Sequence, residues 1–303
     1  MTPPNMSIMP HAIGARQDPA TRLLRDRIRH LFKILPAALT FDEEGVHDMR
    51  VTTRRLGIML PVLAVKPGGK RIRRAIRAMR RLRRAAGVSR DLDVSVALFE
   101  ELASASNGDR RQAEILHRRL RDARRRSHRR MQRSVAALDI AEFKGDLQGI
   151  MRRGADDLFT VLRRLREEQK SRGMKLLETM EVVGSSYDPD ALHRLRRQVR
   201  RMRYLAEVNM AVLDRTPDAT RIFRELQDAL GRLHDAHVLV LWLDGQIAAS
   251  EKRGQSDLAL TARRLRGAIE ATAREDHRAY LHLGPPANAR RGLRAMGLRE
   301  PAR

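Results

Sequence analysis

On a helix turning 100° per residue, His47, Arg50 and Arg54 fall within about 60° of one another. His193, Arg196, Arg200 and Arg203 set up a matching stripe 146 residues further along the chain. A third stripe, Arg73, Arg77, Arg80 and Arg84, follows the first, and Arg221 with Arg224 echoes it in the second half. Guanidinium forks grip phosphate oxygens bidentately, and a neighbouring imidazole adds a cation that titrates near neutral pH. The chemistry open to such a set is the holding of a polyanion.

Every amphipathic helix has a polar face, and a single stripe read alone is a solvated surface. Two features set these apart. They carry almost no interleaved Asp or Glu, so like charges at i,i+4 repel by roughly 0.2–0.5 kcal/mol per pair instead of forming ion pairs. The pattern His-x-x-Arg-x-x-x-Arg-Arg also recurs, as His47 to Arg55 and as His193 to Arg201. A solvated face has no reason to keep it.

Apolar residues lie opposite the stripes: Met49, Leu56, Met59, Leu60 and Leu63, then Ile72, Ala75, Met79 and Leu82, then Leu195, Met202, Leu205 and Leu213. This spacing predicts helices near 19–35, 42–65, 70–86, 90–103, 109–137, 154–183, 190–213, 218–230, 235–250 and 257–281. Asp18-Pro19, Asp188-Pro189 and Thr216-Pro217 read as capped starts with a first-turn proline. Stops are read at Leu35-Pro36, Lys66-Pro67-Gly68-Gly69, Gly87, Asn107-Gly108, Gly184 and Gly254. No segment alternates with period 2, so strands are not needed. The tails, 1–17 and 284–303, are expected to be disordered, the second being basic.

The chain also resembles itself. Setting His47 on His193 places Arg50 on Arg196, Arg54 on Arg200 and Arg55 on Arg201. With one two-residue indel the register continues, pairing Arg77 with Arg221, Arg80 with Arg224, Gly87 with Gly231 and Asp91 with Asp235. Two copies of a helical module are the economical account.

Composition narrows the class. The chain has 303 residues, 42% of them hydrophobic but only 3% aromatic, a palette for helical cores rather than sandwiches or barrels. There are 62 Lys and Arg against 37 Asp and Glu, a formal net charge of +25 that opposes compaction unless an anionic partner offsets it. Absence of cysteine excludes disulfides and thiolate chemistry. Met1 to Gln17 lacks the pattern of a signal peptide. The longest apolar run, Val238 to Leu243, is far short of the roughly 20 residues of a membrane span. A cytoplasmic location is expected.

At this point the residues resemble a known family. The stretches His47-Asp-Met-Arg-Val-Thr-Thr-Arg-Arg-Leu and Leu82-Arg-Arg-Ala-Ala-Gly-Val-Ser-Arg-Asp-Leu-Asp-Val resemble the CHAD domain (conserved histidine alpha-helical domain). So do the stretches starting at His193 and at Leu226, and the likeness spans about 18–283. The resemblance implies an all-α fold of two antiparallel helical bundles from an internal duplication. The first half would run from about 18 to 137 and the second from about 154 to 283, related by a pseudo-twofold axis. A basic central groove between them would bind inorganic polyphosphate without catalysis or cofactor, in association with polyphosphate or storage granules. Carried over position by position, it makes His47, Arg50, Arg54, His193, Arg196 and Arg200 the anion ligands, with Arg55 and Arg197 beside them. Arg77, Arg80, Arg84, Arg203, Arg221 and Arg224 join them, as does Arg90. His234, matched to Arg90, departs from the small polar residue common in the second copy. Asp91 and Asp235 read as structural.

Three other readings are weighed. A pI near 11.5 suits a nucleic-acid binder, but one Trp, three Tyr and six Phe leave little for base stacking, so weak non-specific binding is the most expected. A phosphotransfer enzyme or phosphatase using His47 or His193 would want a nucleotide loop and clustered carboxylates, and neither is present. His234, Asp235 and His237 lack a further convergent ligand for a metal. The dense charge run at 109–137 could line the groove or form a second surface, and its sequence leaves both open.

Overall fold

The computed structural model describes residues 18–105 and 110–298. Ten helices run through them: α1 Pro19–Leu39, α2 Glu43–Leu63, α3 Lys70–Ala105, α4 Arg110–Ala136, α5 Ile140–Arg153, α6 Leu158–Val183, α7 Pro189–Leu213, α8 Asp218–Glu251, α9 Ser256–His282 and α10 Pro285–Ala295. The one extended pairing among the described residues is an isolated antiparallel bridge between Ala64 and Ala155. The fold is all-α, as the apolar periodicity requires.

The aspartate caps act as the sequence suggests. Asp18 accepts from the Thr21 amide, and Asp188 from the amides of Asp190 and Ala191, ahead of Pro19 and Pro189. Asp42 does the same for α2, at 2.7 Å from the Gly45 amide. Each satisfies amides that the first turn leaves without an intrahelical acceptor. Thr216 does not cap: its hydroxyl donates to the Asp218 carboxylate at 2.8 Å, and α8 begins without a side-chain cap.

Two expected gaps between helices are continuous helix. Segments 70–86 and 90–103 form the 36-residue α3 through Gly87, and 218–230 with 235–250 form the 34-residue α8 through Gly231. A glycine inside a helix costs about 1 kcal/mol, which packing on both sides outweighs here. The glycines serve close approach instead. A Cβ on Gly87 would stand 3.4 Å from Arg50 Nη1, and one on Gly231 would stand 3.8 Å from Arg196 Nε and Nη2. Pro36 also fails to stop α1, which runs on to Leu39 with Ala38 buried.

The sequence reading overlooked α5 and placed α10 in a disordered tail. Phe143, Leu147 and Ile150 of α5, and Ala289, Leu293 and Met296 in and after α10, are buried in the main core. Asp146 of α5 takes a bidentate pair from Arg74 at 2.9 and 2.6 Å, tying α5 to α3. The expected disorder at 1–17 and the stop at Asn107-Gly108 lie outside the described residues, as do 299–303.

Two apolar cores organise the helices, and each draws on both halves of the chain. The larger joins α1, α2, α5, α6, α7 and α10 with the first parts of α3 and α8. The smaller gathers the second parts of α3 and α8 with α4 and α9, around Phe99, Leu120, Leu239 and Leu265. Met49, Leu56, Met59, Leu60 and Leu63 of α2 are buried, as are Leu195, Met202 and Leu205 of α7; Leu213, at the end of α7, is exposed instead. A fully buried Leu or Met contributes roughly 1.5–3 kcal/mol. These anchors therefore fix the rotation of α2 and α7, and with it the direction of their arginines.

Gly45 lets α1 and α2 meet, since a Cβ there would stand 2.8 Å from both the Ala37 Cβ and the Ala38 amide nitrogen. Backbone atoms cannot yield as a side-chain tip can. Gly45→Ala should therefore destabilise by about 1–2 kcal/mol, because overpacking outweighs the gain in helix propensity. Gly145→Ala and Gly245→Ala, with open space around them, should instead stabilise by up to about 1 kcal/mol. Denaturant unfolding of the three variants reads the difference in sign.

Candidate functional site

With their apolar sides sunk in one core, α2 and α7 turn their cationic stripes toward each other. Arg50 is 6% exposed, its Nη2 3.9 Å from Asp91 Oδ1 and its charge within reach of Arg54, Arg90 and Arg196. Arg200 lies within reach of Arg54, Arg196 and Arg50. Residues more than 140 positions apart in sequence thus form one cationic cluster. Arg83 of α3 completes it, donating to the Thr53 carbonyl at 2.8 Å with Arg54 and Arg80 as charged neighbours.

Burial sets the electrostatics. Desolvation first, and neighbouring guanidinium groups second, hold Arg50 and Arg83 down to about 10 and Arg200 down to about 9. Arg54 is lowered for the same leading reason. All remain charged at neutral pH. Arg50 Nη1 and Arg196 Nε are buried without a hydrogen-bond partner. Among the described residues, no hydrogen bond or ion pair engages Arg54, Arg196 or Arg200. Desolvated donors without acceptors are costly, and an anion between α2 and α7 would satisfy them.

The histidines line the same cluster but are held neutral. His47 is lowered by burial and then by Arg90, and His193 by burial and then by Arg197 and Arg196. His234 of α8 packs on His193, with Nδ1 atoms 2.9 Å apart and ring centroids 4.4 Å apart. One of the two nitrogens donates and the other accepts, so at least one ring is neutral. Burial and Arg196 push His234 down to about 3. Asp235 is raised by its own burial, and Asp91 faces Arg50.

The remaining sequence-chosen residues divide. Arg80, Arg90 and Arg197 border the cluster. Arg55 does not stand free: its guanidinium forks onto Glu207 at 2.7 and 3.0 Å. Arg203 Nε approaches Glu207 Oε1, which Arg55 Nη2 also engages, at 3.4 Å, and both cations lie over the Tyr204 ring. This pair is an internal clamp between α2 and α7. Arg221 pairs with Asp218 on its own helix, and Arg77, Arg84 and Arg224 point to solvent, outside the neighbourhood of Arg50 and Arg200. Sequence reasoning passed over Arg83 and the 4% exposed Tyr204. One signal was present: Gly57 stands in an apolar stretch of α2, and a Cβ there would lie 3.7 Å from Arg83 Nη1.

The charge run of α4 lies on the outside. Leu116 and Leu120 hold it to the smaller core, while Arg124 pairs with Asp93 at 2.5 Å and with Glu43 at 3.3 Å. Glu43 also pairs with Arg90, so α4 meets only the rim of the cluster. Among the described residues, no three His, Asp or Glu side chains converge to hold a metal ion, and no helix is long and apolar enough to cross a membrane.

Two stability predictions follow from this geometry. Glu207→Ala strands Arg55 and Arg203 and should cost about 2–3 kcal/mol, under the 3–5 kcal/mol of a fully buried pair because Arg55 is partly exposed. Denaturant unfolding measures it. The depressed histidines act in the other direction from a paired histidine. Below the ordinary value of about 6.5, the unfolded chain binds more protons than the folded one. The melting temperature of the free protein should thus fall as pH drops from about 7 to about 5, and His234→Asn should reduce that slope.

Comparison with known proteins places this architecture. A family model for the CHAD domain matches residues 22–244 and 175–301. No curated protein matches the chain. Among solved structures, the crystal structure of the CHAD domain from the plant Ricinus communis is similar with a TM-score of 0.58 at 19% identity, over 87% of this chain and 90% of that one. PptA from Streptomyces chartreusis is similar with a TM-score of 0.61 at 17% identity, over 88% and 98%. At such identities the structural likeness speaks for the fold, while the family match covers most of the sequence: this chain belongs to the CHAD domain family.

Proposed function

We propose that this protein binds inorganic polyphosphate without turning it over, along the cluster of Arg50, Arg54, Arg83, Arg196 and Arg200, and that this binding associates it with polyphosphate granules. The observation that carries the reading is a set of five desolvated guanidinium groups that outnumbers its near carboxylates, Asp91 and Asp235, and leaves Arg54, Arg196 and Arg200 without a hydrogen bond or ion pair among the described residues. An ordinary surface would pair them or leave them in water. Membership of the CHAD family, which is linked with polyphosphate binding, points the same way.

The ligand chemistry follows from what the cluster contains. Polyphosphate carries charge at every unit and has no bases to stack, so it asks for guanidinium groups and not for aromatic platforms. Tyr204 is buried beneath Arg55 and Arg203, and Trp242 packs edge-on against Phe99. Neither is offered to a base. The non-catalytic part of the proposal rests on the same chemistry. Guanidinium holds phosphate but supplies neither a nucleophile nor a proton at neutral pH.

Titration with long-chain polyphosphate tests this reading. Arg54→Ala/Arg200→Ala should weaken binding on the order of a hundredfold, the loss of two charge-assisted hydrogen bonds. Lys252→Ala/Arg253→Ala, which removes equal charge from the exposed end of α8, should stay within about threefold, as distant surface charge is screened. Polyphosphate should displace duplex DNA at physiological salt. Equal loss in both variants, or displacement in the opposite sense, would sink the proposal. Acid-labile phosphate on His47 or His193 after incubation would refute its non-catalytic part. Because an anion favours charged imidazole, affinity should also rise as pH falls from about 8 to about 6; a flat profile would remove the histidines from the site.

A further inference from the structure

A second group of cations lies on an adjoining face of α7 and was not assembled by the stripe pattern. Arg194, Arg197, Gln198 and Arg201 of α7 face Arg172 and Lys175 of α6 across a cavity of about 300 Å³. Five of these six residues are cationic. Adjacent antiparallel helices ordinarily set carboxylates against such a row. Of the four carboxylates of α6, two are directed elsewhere: Glu167 pairs with Arg163 at 3.0 Å and Glu181 with Arg290 at 3.3 Å. Glu168 reaches in, at 2.7 Å from Arg172 Nε. Among the described residues, Arg194 and Arg197 have no hydrogen-bond or ion-pair partner.

The cavity is also built, not merely a gap. The Gln198 side chain is fixed by its Nε2 donating to Thr179 Oγ1 at 2.9 Å, and its Oε1 is buried with no donor. That oxygen is an acceptor for any guanidinium drawn inward over an anion. Arg201 is lowered by burial and then by Arg172 and Arg197, so it is already partly withdrawn from water.

Continuity with the central cluster gives the cavity its meaning. Around the α7 axis, Arg200, Arg197, Arg201 and Arg194 follow one another over about 120°. Arg80 of α3 is a charged neighbour of both Arg83, in the cluster, and Arg201, at the cavity. An unbroken belt of guanidinium groups therefore passes from the α2–α7 face around α7 to α6.

We propose that the α6–α7 cavity is a second polyphosphate subsite, occupied by the same chain after it leaves the central cluster, so that binding depends on chain length. It rests on the proposed function for the nature of the ligand but not for the site. A short oligomer satisfies the central arginines and ends there. A longer one continues past Arg80 and gains the contacts of Arg201, Arg194 and Arg172.

The test compares tripolyphosphate with long-chain polyphosphate on three variants. Arg172→Ala/Lys175→Ala/Arg194→Ala removes three of the cavity's five cations, Arg54→Ala/Arg200→Ala two of the five central ones, and Lys252→Ala/Arg253→Ala/Arg278→Ala removes as much exposed charge elsewhere as the cavity variant does. The cavity variant should lose about tenfold or more in affinity for the long chain, one charge-assisted hydrogen bond at least, and bind tripolyphosphate as wild type does. Long-chain affinity equal to that of the exposed-charge control would overturn the subsite and leave the central reading intact. Equal loss for both ligands would overturn the chain-length dependence, making the cavity a small-anion site. A central variant that keeps wild-type affinity while the cavity variant loses it would refute the central reading alone. Melting temperatures confirm that the variants fold, and Arg194→Ala by itself, which removes no intramolecular partner, should show the same direction.

Discussion

Like charge gathered in a place where water is scarce is the constraint around which this molecule is built. Two unit charges 4 Å apart repel by about 1 kcal/mol in water and by about 4 kcal/mol at the effective dielectric of a protein surface. Arg50, Arg54, Arg83, Arg196 and Arg200 meet in the second kind of setting, with Asp91 and Asp235 as their near carboxylates. Nothing local favours that arrangement. It is imposed from the far side of each helix, where the packing of Leu56, Met59 and Leu60 and of Leu195, Met202 and Leu205 fixes how α2 and α7 are rotated. The apolar residues decide where the arginines point, and the repulsion stays in the structure as a standing demand for an anion.

The glycines and one glutamate show how the strain is contained. Gly57, Gly87 and Gly231 each leave room for a guanidinium, those of Arg83, Arg50 and Arg196 respectively. Where a cation has no such recess, a carboxylate takes it up: Glu207, itself 7% exposed, holds Arg55 and approaches Arg203. The result is a division between arginines that hold α2 to α7 and arginines that remain available between them. Arg54 and Arg55 are consecutive residues, yet a turn of 100° places them on the two sides of that division.

Such a division sets the limit of what the sequence could disclose. Apolar residues at a period of 3.6 were enough to find eight of the helical regions, because packing and periodicity agree there. The stripes were legible for the same reason. Gly87 misled because one residue type both ends helices and admits a large neighbour, and only the partner across the gap distinguishes the uses. The short α10 has few apolar residues, whose burial depends on helices distant in sequence, whereas Ile140, Phe143, Leu147, Ile150 and Met151 of α5 keep a helical spacing that the sequence reading passed over. Glu207 lies 152 residues from Arg55, so no local pattern could separate that arginine from its neighbour. Pairing across the fold, not helix formation, was the hidden variable.

The mixture of arginine and histidine then has a physical logic. Arginine cannot surrender its proton at any pH a cell reaches, so a site of arginines alone would carry its full repulsion whether occupied or empty. Histidine can surrender its own. His193 and His234 share a hydrogen bond that requires at least one neutral ring, and burial beside Arg196 deepens that preference. The empty cluster therefore sheds the charge that it can shed, which limits the cost of folding around the remainder. A polyanion reverses the field at the same imidazoles, so that each proton then taken up draws ligand and protein closer. On the proposed reading, fixed cations define the path of the ligand, and titratable ones adjust its charge to whether anything lies on it.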